Sequence, residues 1–194
     1  MLFSQIRKKM NLKKVLKSII FIIICFIPVN KIKIYLINLI PGYNFDNVKI
    51  GYFNIFLVNE ANVSNSFIGN LNFFNISKLN MINDARIGSK NIFYSKDFHK
   101  SKLQMNKSQI SFNNFFEFNN EVVLGEDVVF GGSNSKLITN NREKTTFKSN
   151  IFIGSNCIIM SGVKIAENVT IGAGSIITNS ITEAGLYFSK KLTS

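Results

Sequence analysis

The side chains that most often carry catalysis are scarce in this chain. It has one histidine, His99, two cysteines, Cys25 and Cys157, and eleven carboxylates among its 194 residues. A lone imidazole excludes a zinc centre built from several histidines, so no metal site is expected. Cys25 and Cys157 sit in the apolar runs IIICFI and SNCIIM. That setting reads as core rather than as a nucleophile or a disulfide framework. His99 lies in the irregular stretch 96–107 and reads as a surface histidine. What abounds is asparagine, which orients a hydroxyl by hydrogen bonding but does not accept its proton at any useful pH.

The elements that would position such residues divide into two kinds. Hydrophobic residues make up 46% and charged residues 18%, which excludes disorder as a class. The length suits one domain with a short appendage. The net charge of +12 is concentrated at the start. Arg7, Lys8, Lys9, Lys13, Lys14, Lys17, Lys31 and Lys33 come without one acidic residue, and an apolar run from Ile19 to Val29 lies between them. A helix over 13–27 would be about 22 Å long, short of the ~30 Å hydrocarbon core. A cleaved signal is a second reading, but Pro28-Val29-Asn30 lacks the small-x-small pattern. The third is a segment, residues 1–42, lying on an anionic membrane surface with apolar side in and lysines on phosphates. This reading accounts for both features and places the protein in the cytoplasm, peripheral on the inner membrane face. Nucleic acid is not an expected partner, because no RNA- or DNA-binding module accompanies the charge.

The second kind is a repeat. Ile153, Ile159, Ile165, Ile171 and Ile177 recur every six residues, with Cys157, Val163, Val169, Ser175 and Ile181 as companions four residues after each. Phe112, Phe118, Leu124 and Phe130 keep the step, with Phe116, Val122 and Val128 as companions. Ile50, Phe56, Ile68 and Phe74 keep it too, with Asn62 in one slot, and Met81, Ile87 and Phe93 resume it after one extra residue. A period of six fits neither helix nor ordinary strand. It fits an all-β, triangular parallel solenoid of about 18 residues per coil, stacked because no coil buries its interior alone. The solenoid is placed at 43–182, with a tail at 183–194. Gly51, Gly69, Gly88, Gly125, Gly154 and Gly172 follow repeat positions, where glycine would relieve the corner backbone. Asn156 and Asn168 suit the left-handed conformation at corners. The step fails between Phe130 and Phe147, so residues 131–146 are expected to leave the solenoid as a loop.

The segment IFIGSNCIIMSGVKIAENVTIGAGSIIT, residues 151–178, followed by ITEAGLY, resembles the hexapeptide-repeat acyltransferases, whose fold is a left-handed parallel β-helix. FFEFNNEVVLGEDVVFGGSNSKLITNN, residues 115–141, resembles a subgroup that O-acetylates bacterial surface polysaccharides. The resemblance implies acyl-CoA-dependent transfer, usually of acetyl from acetyl-CoA, to a sugar hydroxyl in a homotrimer, with the donor in a groove between neighbouring solenoids. It implies a histidine base, yet Asn140 stands where that histidine is expected, and Asn114 where a second family histidine falls. Glu117, Glu126 and Glu143 are the carboxylates near this region. On the donor side the family pattern assigns Ser155, Ala173 and Thr178 to the pantetheine arm and nucleotide. Gly172 and Gly174 would allow the arm's close approach, and Lys190 and Lys191 would meet phosphates. Asn179 stands where the family often has lysine. Asn134 and Ser135 are expected at the acceptor sugar. Two readings remain open: an active transferase, or a catalytically impaired scaffold that keeps the fold and CoA binding.

Overall fold

Alternation of apolar and polar residues along short strands, broken at each corner, winds the chain into stacked coils with three parallel ladders. A computed structural model describes residues 12–138, 143–160 and 162–188. The third face of the prism shows the repeat most simply. It consists of β2 (Ile55–Phe56), β4 (Phe73–Asn75), β7 (Ile92–Tyr94), β10 (Phe115–Glu117), β13 (Lys136–Ile138), β16 (Ile158–Met160) and β19 (Ile176–Ile177). These seven strands pair in parallel in that order. The other two faces form one continuous sheet of 13 strands. They are joined because β1 (Tyr43–Ile50) and β3 (Glu60–Ile68) each run around a corner, at Asn47 (φ 47°) and Asn65 (φ 44°).

The interior confirms the period and corrects its register in two places. Ile153, Ile159, Ile165, Ile171 and Ile177 are all buried, as are Cys157, Val163, Val169, Ser175 and Ile181. Asn62, however, faces outward, and Ala61 and Val63 fill the core on either side of it. Phe56 to Val63 is a step of seven and Val63 to Ile68 a step of five. The two irregularities cancel, so a strict count lands on the wrong residue and then recovers. Phe112 is likewise 56% exposed, and its expected place in the core is taken by Ile110. Asn156 (φ 58°) and Asn168 (φ 57°) do occupy left-handed corners. The glycines at 51, 69, 88, 125, 154 and 172 do not have the positive φ that a conformational role requires. At Gly69 and Gly88 the reason is close approach: a Cβ there would fall on the backbone of the next coil, at Gly88 and Ser111 respectively.

Two columns run along the core. Phe56, Phe74, Phe93 and Phe116 stack with centroids 4.4, 4.9 and 5.2 Å apart, and Phe130 and Phe147 continue the series. Such separations suit both aromatic pairs and the ~4.8 Å strand spacing. Beside them Asn54, Asn72, Asn91 and Asn114 form a buried ladder. Each side-chain oxygen accepts the backbone N–H of the next coil at 2.9–3.0 Å. Ser135, Cys157 and Ser175 carry this column on as the side chains shrink.

The first 42 residues are less separable than the sequence suggests. Helix α1 (Leu12–Cys25) lies over the first coil, and α2 (Asn30–Asn38) runs beside β1. Phe21 stacks on Phe56 at 4.3 Å, extending the aromatic column by one ring. Ser18 Oγ accepts the Phe56 N–H. From α2, Asn38 bonds both the N–H and the carbonyl of Phe45, while Asn30 and Lys33 donate to the carbonyls of Val48 and Ile50. The open edge of the first coil is thereby covered, as an exposed strand edge must be. Two further boundaries differ from expectation. Residues 131–133 belong to β12 (Val128–Ser133), with a register shift that absorbs one extra residue. Residues 136–138 form β13 and 145–147 form β14, so this much of the expected loop stays within the solenoid, while residues 139–142 lie outside the described residues. In the tail, Gly185–Tyr187 pairs with Val169–Ile171 on the second face.

Candidate functional site

The site residues expected from the sequence separate onto two corners of the prism. Ser155, Gly172, Ala173 and Gly174 share the corner between the second and third faces in successive coils, where the Gly174 N–H donates to the Ser155 carbonyl at 2.8 Å. Gly172 tolerates a Cβ, whose nearest neighbour would be 3.4 Å away. Gly174 has φ 74° and open space where a Cβ would stand. Gly132 packs directly on the Ser155 side chain from the coil before. Asn134 sits at this same corner (φ 61°), exposed, with its side-chain oxygen accepting from Asn113 Nδ2.

Thr178 follows β19 at the opposite corner, between the third and first faces. Asn140, Lys190 and Lys191 lie outside the described residues. Within one chain Thr178 therefore does not lie on the corner of Ser155 and Ala173. The third face, three residues wide at ~3.3 Å each, keeps them roughly 10 Å apart.

Two expected residues are assigned elsewhere by the geometry. Asn114 is 1% exposed, donates to Asn91 Oδ1 and the Gly132 carbonyl, and accepts the Ser135 N–H. Ser135 is 2% exposed, with its hydroxyl donating to the Gly154 carbonyl and accepting the Cys157 N–H. Both satisfy the interior ladder and present nothing to a ligand. The sequence could not reveal this, because the ladder's members are 18 to 23 residues apart. Cys157 is fully buried, and burial pushes its thiol above the ordinary value, which agrees with a core role.

Among the carboxylates, Glu117 pairs in register with Ile138. Lys96 Nζ lies 2.6 Å from its Oε1, and that contact raises the lysine's pKa. Glu126 accepts from Asn106 Nδ2 at the surface. His99 lies in a single 3₁₀ turn, Phe98–Lys100, exposed and edge-on to Phe98, as a surface histidine. An open cleft of about 350 Å³ occupies the second face at the level of Ser155, lined by Asp127, Val129, Phe152, Asn168 and Thr170 among others. Its residues come from three coils, so sequence proximity gives no sign of it. Among the described residues no cluster of three or more His, Cys, Asp or Glu could hold a metal ion.

Comparison with known proteins gives partial matches. Residues 144–179, the most regular coils, match the family described as bacterial transferase hexapeptide (six repeats). The chain is also similar to the bifunctional protein GlmU of Acinetobacter baumannii strain AYE, at 42% identity over 50 residues, which is 26% of this chain and 11% of that protein. It is similar to the GlmU of Acinetobacter baylyi at 34% over 70 residues, 36% of this chain and 15% of that one. With the GlmU of Campylobacter curvus the figures are 36% over 70 residues, 36% and 16%. The chain thus spans under a fifth of the length of these curated relatives.

Proposed function

We propose that the protein is an acyl-CoA-dependent O-acyltransferase that moves an acyl group, acetyl in the simplest case, to a sugar hydroxyl in bacterial surface-polysaccharide biosynthesis. The observation that carries this reading is the match of residues 144–179 to hexapeptide transferases, because those coils hold the corner of Ser155 and Ala173. In this reading the coils wind left-handed and three copies assemble. Two features support assembly. Thr178 lies on a different corner from Ser155 and Ala173 within one chain, so a neighbour would be needed to bring such residues together. Apolar residues also face outward along the third face at Ile55, Phe73, Ile92 and Phe115 and, beyond Lys136, at Ile158 and Ile176 in register.

Acetyl-CoA would lie along the Ser155–Ala173 corner, with Gly172 and Gly174 leaving room for the pantetheine arm, and with Thr178, Lys190 and Lys191 toward the nucleotide. Asn134, exposed on that corner, would hydrogen-bond the acceptor. The acceptor oxygen attacks the thioester carbonyl, the C–O bond forms, the C–S bond breaks, and CoA leaves as a thiolate that takes up the proton released from the hydroxyl. A general base speeds such a step by ~10²–10⁴-fold. Asn140 cannot serve as that base. The interior position of Asn114 removes the second family candidate, and this favours the alternative reading of an impaired scaffold that retains CoA binding. Asn140→His distinguishes the two. Its imidazole, with a reference pKa near ~6.5, should raise acyl transfer to a panel of simple sugars at least about tenfold, increasingly as pH rises through that value. Tenfold corresponds to ~1.4 kcal/mol of barrier. Fast transfer by the natural chain with no response to the substitution would assign the base to another residue.

A further inference from the structure

The helices that close the first coil bury one face and leave the other apolar and uncovered among the described residues. On α1 the buried positions are Ser18, Phe21, Ile24 and Cys25. The opposite positions are also apolar: Leu16, Ile19 and Ile23 are 57%, 48% and 63% exposed. On α2, Ile32 and Tyr35 are 50% and 66% exposed. A surface helix of a water-soluble end cap would carry polar residues there, and contiguous exposed apolar surface marks a docking face. The charge around this face has one sign. No acidic residue precedes Asp46, and Lys13 and Lys31 are exposed beside the stripe. Lys17 donates to the Pro41 carbonyl at 2.6 Å, Lys33 to that of Ile50, and Lys14 sits over the Phe98 ring.

We infer that this cap is a two-sided device, one face sealing the solenoid and the other docking on an anionic lipid bilayer with the coils standing away from it. The charge selects the occupant. A second copy meeting cap to cap would bring two cationic, acid-free segments together, whereas an anionic surface neutralises them. No helix among the described residues is long and apolar enough to cross a membrane, so the helices lie along the interface. Phe21 continues the column of stacked rings, so the coils rise from the cap in the direction of that column. At ~4.8 Å per coil the Ser155–Ala173 corner would stand roughly 24–29 Å from the first coil.

The test uses the full chain and vesicles of phosphatidylcholine with or without phosphatidylglycerol, read by co-sedimentation. Binding should require the anionic lipid, and high salt should weaken it only in part, because inserted apolar surface is not screened. The double substitution Ile19→Ser with Ile23→Ser should lower binding at least about tenfold while the melting temperature stays unchanged, since neither side chain enters the core. Equal binding to both vesicle types, no binding to either, or full binding by the double variant would overturn the inference. So would a change in oligomeric state of the double variant without lipid, which would assign the face to a second copy. Acetyl-CoA binding, measured on the same samples, reports separately on the transferase reading.

Discussion

Glycine and asparagine do different work here from what their usual preferences suggest. Gly88 has an ordinary backbone conformation, yet a Cβ there would fall on the Ser111 carbonyl of the next coil. Gly88→Ala should therefore cost about 1–3 kcal/mol, as overpacking does. Gly172→Ala, where the nearest atom would be 3.4 Å away, should stay within about 0.5 kcal/mol. Denaturant unfolding of the two variants checks the contrast, and equal effects would remove the close-approach account. Asparagine is divided between two roles that a sequence does not separate. Asn156 and Asn168 turn corners, while Asn54, Asn72, Asn91 and Asn114 satisfy the backbone inside. The local preference for left-handed backbone reveals the first role. The second depends on which residue of another coil lies 3 Å away, and this is why Asn114 reads as a site residue until the coils are stacked.

At the scale of single elements, the first face carries a column of charged residues, Glu60, Lys78, Lys102, Glu121 and Lys144. Glu60 pairs with Lys78 at 2.6 Å, and Glu121 lies between Lys102 at 3.2 Å and Lys144 at 2.7 Å. Burial by itself raises the Glu121 pKa, but the two ammonium groups outweigh it and hold the carboxyl below its ordinary value. A depressed carboxyl in the folded state stabilises above the unfolded value and loses that contribution as pH falls through the folded one. Stability should thus decline from pH about 4.5 downward, and Glu121→Gln should flatten part of that decline while lowering stability at neutral pH. Melting temperatures across acidic pH measure it; an acid limb identical in both proteins would show that the triad contributes nothing. Residues 131–133 and 136–138 stay in strands where the failed repeat suggests a loop, because one bulge in β12 restores the phase that strict counting loses.

Across the whole molecule, the last coils were the most legible, since five isoleucines at a constant step leave one way to bury them. Toward the start, compensating steps of seven and five hide the register at Val63, and the end cap shares its core with the coils through Phe21, Ile24 and Ile37. A greasy, basic segment looks like an appendage in sequence because nothing local records that Phe21 meets Phe45 and Phe56. The division of the site between two corners was equally hidden, because it depends on which face each six-residue step occupies.

The central claim, that the Ser155–Ala173 corner receives an acyl-CoA, is tested most directly by calorimetric titration of the full chain with acetyl-CoA. Ala173 is exposed, so Ala173→Glu adds a like charge against the donor's phosphates without entering the core. The account predicts saturable binding by the natural chain that is lost in Ala173→Glu at unchanged melting temperature. Absence of binding by the natural chain, or binding indifferent to Ala173→Glu, would contradict it.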